Sequence, residues 1–149
     1  MTRALWHELY CGWENDPAVC APGQPFVPYH YDHAEAESRF TARQSFDRVI
    51  LAILLGEHPI GEIQLKRIDQ ARGVCTLSIH LQNDAVKGRG FGTAAERLAL
   101  EYAFATLGLR AVEADCLSAN ARSAHVLEKA GFRLQREEGG YRYYRCERP

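Results

Sequence analysis

The spacing of apolar and polar residues changes several times along the chain, and each change marks an element. Residues 48–55, RVILAILL, are an unbroken apolar run of strand length; residues 60–68, IGEIQLKRI, alternate, and after the turn-forming DQARG residues 74–82, VCTLSIHLQ, alternate again. These three predict a hairpin or meander. A long helix is predicted over residues 91–107, FGTAAERLALEYAFATL, buried on two sides: Phe91, Ala94, Ala95, Leu98, Tyr102 and Ala105 share one stripe, and Leu100, Phe104 and Leu107 another. AVEADCL (111–117) reads as a strand, NARSAHVLEKA (120–130) as a helix stopped by Gly131, and FRLQRE, a Gly-Gly turn and YRYYRCE as a terminal hairpin. Before residue 47 the pattern is irregular. A short amphipathic helix (4–16) and a second helix with an acidic start (33–46) flank PAVCAPGQPFVPYHYD, a loop rich in proline and aromatics. The sum is an α/β fold around a mixed sheet.

Composition narrows the class. At 149 residues, 46% hydrophobic and 25% charged, the chain suits one domain with a real core, and a net charge of -1 gives no overall pull towards nucleic acid or an anionic membrane. No apolar run reaches the length of a membrane span, and the first residues lack a signal-peptide core, so a cytoplasmic location is expected. The five cysteines (Cys11, Cys20, Cys75, Cys116 and Cys146) have no metal-ligand spacing and read as reduced thiols, with Cys75 and Cys116 as core filler; no metal is expected.

The candidate chemistry lies in VKGRGFGT, residues 86–93, where a strand gives way to a helix. Gly88, Gly90 and Gly92 let a ligand approach the main chain, the helix N-terminus presents free N–H groups to an anion, and Lys87 and Arg89 add charge. A nucleoside-triphosphate P-loop fails because GRGFGT lacks its lysine, and the dinucleotide fingerprint fails because the glycines alternate after a hairpin. What remains is a basic residue or Gln, two residues, Gly, one residue, then Gly or Ala.

That pattern resembles the acetyl-CoA pyrophosphate loop of the GCN5-related N-acetyltransferase (GNAT) superfamily. NARSAHVLEKAGF, Asn120 to Phe132, is similar to the second motif of the branch that includes ribosomal-protein N-terminal acetyltransferases. The resemblance covers about residues 47–149, which it makes the acetyl-CoA-binding core; residues 1–46 become variable acceptor-side helices and loop of the same single domain. It implies a mostly antiparallel mixed sheet, helices on both faces, splayed between the family's fourth and fifth strands, here VCTLSIHLQ and AVEADCL. Acetyl-CoA is then the donor. Its expected contacts are Leu81, Gln82, Val86, Lys87, Gly88, Arg89, Gly90, Phe91, Gly92, Thr93, Asn120 and Ser123.

The implied reaction is direct attack of a primary amine on the thioester, with backbone around Leu81 and Gln82 as the oxyanion donor. Many superfamily members carry a tyrosine at the position of Leu127 to protonate the leaving thiolate; leucine cannot, and Ser123 or a water is the substitute expected here. If DQARG turns about Ala71, Glu62 falls opposite His80, which makes His80 the expected base with Glu62 orienting it or relaying through water. Tyr29 and Tyr31 are expected at the acceptor. The expected partners are a small-molecule or peptide amine and, in a homodimer, a second copy of the chain; a silent CoA-binding sensor of the same fold is the alternative.

Overall fold

The computed structural model describes residues 1–149. Its six-stranded sheet comprises β1 (Val49–Leu55), β2 (His58–Asp69), β3 (Val74–Leu81), β4 (Ala111–Leu117), β5 (Arg133–Glu138) and β6 (Tyr141–Glu147), in the spatial order β1-β2-β3-β4-β6-β5. All neighbours are antiparallel except β3 and β4. Those two pair only from Val74 to Thr76 against Ala111 to Glu113 and then part. The opening therefore lies between VCTLSIHLQ and AVEADCL; counted along this chain they are the third and fourth strands, because Val49 begins the first.

Four helices cover the sheet: α1 (Arg3–Cys11), α2 (His33–Ala42), α3 (Phe91–Glu101) and α4 (Ala121–Ala130). Side-chain caps start three of them, with Thr2, Asp32 and Asn120 each accepting a hydrogen bond from a backbone N–H three residues on, and Gly131 at φ 113° stops α4. Ile63, Leu65 and Leu77 pack with Ala99 and Leu100 of α3 and Leu127 of α4 in the main core, which also takes in Cys75 and Cys116. On the opposite face, Trp6, Leu9 and Tyr10 of α1 and Phe40 of α2 form a second cluster. All five cysteines are free thiols.

The sheet-facing stripe of α3 is rotated from the sequence expectation. Glu96, Ala99 and Leu100 are its buried positions, continued by Ala103 in the π-helical turn Tyr102–Thr106, whereas Leu98 is 67% exposed. Phe91, Ala94, Ala95, Leu98 and Tyr102 instead border a shallow apolar groove against β1 and β2. The helix is thus buried on one side and half-covered on a second, with a carboxylic acid inside the first.

Candidate active site

Turn, strand edge and helix ends meet at the opening. Gly88 (φ 70°) and Gly90 (φ 84°) adopt the left-handed region that side chains disfavour, and a Cβ on either would meet nothing within 4 Å. Gly90 caps α3 without a side-chain hydrogen bond, and the first helical bond is from Ala94 N–H to Gly90 C=O at 3.1 Å. The N–H groups of Phe91, Gly92 and Thr93 consequently have no protein acceptor, at the positive end of an eleven-residue helix. Gly92 serves packing as well: a Cβ there would lie 3.5 Å from Val126 of α4. Arg89 stacks over the Phe91 ring, 4.9 Å from its centre.

Lys87 departs from the expectation. Its ammonium donates to Asp16 at 2.8 Å and Asp84 at 3.0 Å, and the side chain is 11% exposed, so it ties the N-terminal segment to the loop instead of reaching for an anion. Burial opposes its charge, yet the two carboxylates hold its pKa above the usual lysine value. Val86 ends a 3-10 turn capped by Asn83.

The edge of β3 supplies the second feature. Gln82 N–H donates to Ile60 C=O at 2.8 Å, and its carbonyl accepts from Glu14, so Gln82 cannot be the oxyanion donor. Bonding alternates along an antiparallel ladder, which turns the N–H groups of Ile79 and Leu81 away from β2 and into the opening. Of the two expected backbone donors, Leu81 alone has an N–H turned away from the β2 ladder.

The sequence register is confirmed: Glu62 stands opposite His80 in the β2–β3 ladder. Their side chains do not bond. Glu62 is 2% exposed, its Oε1 accepting from Gln64 at 2.8 Å and Arg43 at 3.4 Å, while Oε2 is buried without a partner. Burial raises its pKa, partly offset by the bond from Gln64, the charge of Arg43 and the nearby Tyr10 hydroxyl, which approaches without a well-formed hydrogen bond to Oε2. Without a carboxylate partner, burial and the charges of Lys66 and Arg43 push His80 down to about 4, so its imidazole is neutral at physiological pH. Both groups line a cleft of about 450 Å³ with Tyr10, Trp13 and Lys87 on one side and Gly92, Glu96, Asn120 and Ser123 on the other.

Tyr29 and Tyr31 are not in that lining. Tyr29 packs on Tyr10 and under Arg39, and Tyr31 bonds through its hydroxyl to His7 at 2.9 Å, on the outer surface of α1 and α2. The aromatics that line the cleft are Tyr10 and Trp13, stacked with ring centres 4.8 Å apart, and Trp13 also meets His80 edge-on. Asn120 Oδ1 accepts from Ser123 N–H at 3.1 Å, which fixes the start of α4 with Ser123 facing the cleft. Sequence reasoning missed Tyr10 and Trp13, whose signal was their i, i+3, i+4, i+7 spacing with Trp6 and Leu9, and Arg43, which no period marks. It also missed Glu96, whose signal was a charge in register with Ala99, Leu100 and Ala103.

The model of the acetyltransferase (GNAT) domain matches residues 1–133. The chain belongs to the GNAT acetyltransferase family. A probable N-acetyltransferase of Bacillus subtilis (strain 168), YjcK, is 37% identical over 73 residues, 49% of this chain and 40% of that protein, so the match spans well under half of its length. Among solved structures, a chimera of the spermidine N-acetyltransferase SpeG from Vibrio cholerae and hSSAT overlays with a TM-score of 0.74 at 16% identity, covering 99% of this chain and 93% of that one. The Campylobacter jejuni N-acetyltransferase PseH in complex with acetyl coenzyme A gives 0.67 at 19% identity over 78% and 80%. These likenesses establish the shared fold of this GNAT domain. Its residues fit an acetyl-CoA donor on their own geometry: unpaired N–H groups on a glycine turn, with open space before them, beside an unpaired strand edge.

Proposed function

We propose that the protein is an acetyl-CoA-dependent N-acetyltransferase acting on a primary amine by direct attack. The observation that carries this reading is the opening between β3 and β4, which joins the free N–H groups at the start of α3 to a buried, partly unpartnered carboxylate at Glu62. Bound acetyl-CoA supplies the activated acetyl group. Gly88 to Thr93 receive the pyrophosphate on backbone N–H groups, and Leu81 N–H faces the developing oxyanion. Lys87 takes no part in this beyond holding the loop.

On the other side of the opening, Glu62 draws in the acceptor as a cation. A lysine-like ammonium, with a pKa of about 10.4, must lose a proton before attack. Neutral His80 is too weak to strip it from the resting ammonium; the gap of some 6 units amounts to roughly 8–9 kcal/mol. The first proton therefore leaves to bulk solvent, which costs roughly 4–5 kcal/mol at pH 7. His80 takes the second, which becomes strongly acidic once the nitrogen bonds to carbon. Tyr10 and Trp13 frame the acceptor, and Asn120 and Ser123 border the donor.

The acceptor is an amine that enters as a cation beside Tyr10 and Trp13. The V-L-E-K-x-G-F resemblance adds a peptide with a free N-terminus, and the SpeG likeness adds polyamines, to a test panel that also contains aminoglycosides and amino sugars. Release of CoA thiol is followed across that panel. Amine-dependent release is expected, whereas acetyl-CoA binding with no release from any amine would favour the silent sensor.

A further inference from the structure

Glu96 is the most unusual side chain in the molecule. It is fully buried on the second turn of α3, and neither carboxyl oxygen has a hydrogen-bond partner. It is not walled off in the core, because it borders both the main cleft and a second cavity of about 210 Å³ that runs between the parted strands. Leu77 and Ile79 of β3, Cys116 of β4 and Ser123 of α4 border that second cavity with it. An uncompensated carboxylate in such a place is costly, and a buried polar group with neither partner met is a group waiting for one.

Its position relative to the sheet matters. Side chains of Glu62, Gln64, Ser78 and His80 share the face covered by α1 and α2, where the amine enters, whereas α3 covers the opposite face. Glu96 thus meets the opening from the side away from His80. A donor held by its pyrophosphate at Gly90 would reach the opening between these two sides. We propose that the carboxyl group of Glu96 is the proton donor to the sulfur of coenzyme A as the acetyl group is transferred, an inference that rests on the acetyltransferase reading above.

The protonation state supports the geometry. Burial alone pushes the Glu96 carboxyl up to about 8, so it holds its proton at neutral pH. The titratable groups that share the second cavity are Lys66 on β2, His80 on β3, Asp115 and Cys116 on β4, and Tyr141 on β6, and α4 contributes only Asn120, Ser123 and Leu127. A donor near 8 is well matched to a thiol of about 8.5. During transfer the nitrogen–carbon bond forms and the carbon–sulfur bond breaks. Glu96 gives its O–H proton to the sulfur, which keeps the electron pair of the broken bond; the amine proton leaves through His80 to solvent, and solvent returns a proton to Glu96. Leu127, 2% exposed and apolar, has no proton to offer in this role.

The test needs no acceptor. Infrared difference spectra of the full chain would be recorded with coenzyme A and with desulfo-coenzyme A, for wild type, Glu96→Gln and Glu96→Leu, alongside calorimetry of acetyl-CoA binding. Wild type should show a protonated-carboxyl band at neutral pH that disappears as pH rises through about 8. That band should shift on binding coenzyme A, stay in place with the desulfo analogue, and be absent in both variants. Glu96→Gln should bind acetyl-CoA within about threefold of wild type, as expected for a group that meets the sulfur and not the pyrophosphate. A band that coenzyme A leaves unmoved, or that both ligands move alike, overturns the assignment while binding survives. Absence of acetyl-CoA binding in wild type would overturn the acetyltransferase reading, and this inference with it.

Discussion

At Glu62 and His80 one ladder position holds two groups with opposite tendencies, a carboxylate whose proton affinity burial has raised and an imidazole whose proton affinity burial has lowered. Glu62 must be ionised to attract an amine, so kcat/KM should fall as pH drops through a value above the ordinary 4.5. Glu62→Gln should lower kcat/KM by roughly 10²-fold and abolish that acidic limb. His80→Ala should cost turnover without moving the limb, because His80 is already neutral there; a limb that vanishes with His80 and persists without Glu62 would reverse the two roles. Glu96 makes a separate, equilibrium prediction. Its folded pKa of about 8 lies above the unfolded value, so the native state binds the extra proton between those limits, and the associated stability is complete below about 4.5 and lost as pH rises to about 8. Urea unfolding from pH 5 to 8.5 should show wild type losing on the order of 4 kcal/mol relative to Glu96→Gln. Parallel stabilities would mean that the carboxyl is ionised or solvated in the fold.

Among the elements, those built by short-range rules were legible. Glu62 stands opposite His80 as a turn centred on Ala71 and a period of two require, although next to the turn a register shift between Lys66 and Asp69 pairs Asp69 with Val74, an irregularity no local pattern marks. The Gly-Gly turn between β5 and β6, at φ 60° and 82°, was legible by the same short-range rules. Contacts between distant segments were not. Lys87 looks like a phosphate ligand beside three glycines, and only the tertiary path of the N-terminal segment brings Asp16, 71 residues earlier, onto its ammonium. Glu96 was passed over because a charge in a helix is normally assigned to solvent, and nothing local reports that β3 and β4 part above it. The Lys87 finding has its own test. Lys87→Ala should lower stability by about 1–3 kcal/mol, and Asp16→Ala should add little to it in a double-mutant cycle, with acetyl-CoA affinity nearly unchanged. A large loss of affinity with independent stability effects would return Lys87 to the pyrophosphate.

Across the whole molecule, the parting of two strands converts a continuous sheet into a passage open to both faces, which the proposed reaction uses as a donor side and an acceptor side. α3 and α4 bring the glycine turn, Glu96, Asn120 and Ser123 to one side, and α1, with the segment after it, brings Tyr10 and Trp13 to the other. The N-terminal third is therefore a wall of the cleft, although of its loop aromatics Tyr31 lies on the outer surface and Tyr29 packs behind Tyr10. Everything in this arrangement depends on an anion resting at the start of α3. Calorimetric titration of acetyl-CoA into wild type and Gly90→Val, at a temperature where circular dichroism shows both folded, addresses that dependence directly. The valine Cβ and its branches would occupy space that is open for 4 Å around Gly90, at a φ of 84°, and so block approach to the free N–H groups. An anion site there requires micromolar or tighter binding by wild type and a loss of at least about 100-fold in the variant, or roughly 2.7 kcal/mol. Equal affinity in the two proteins would contradict it.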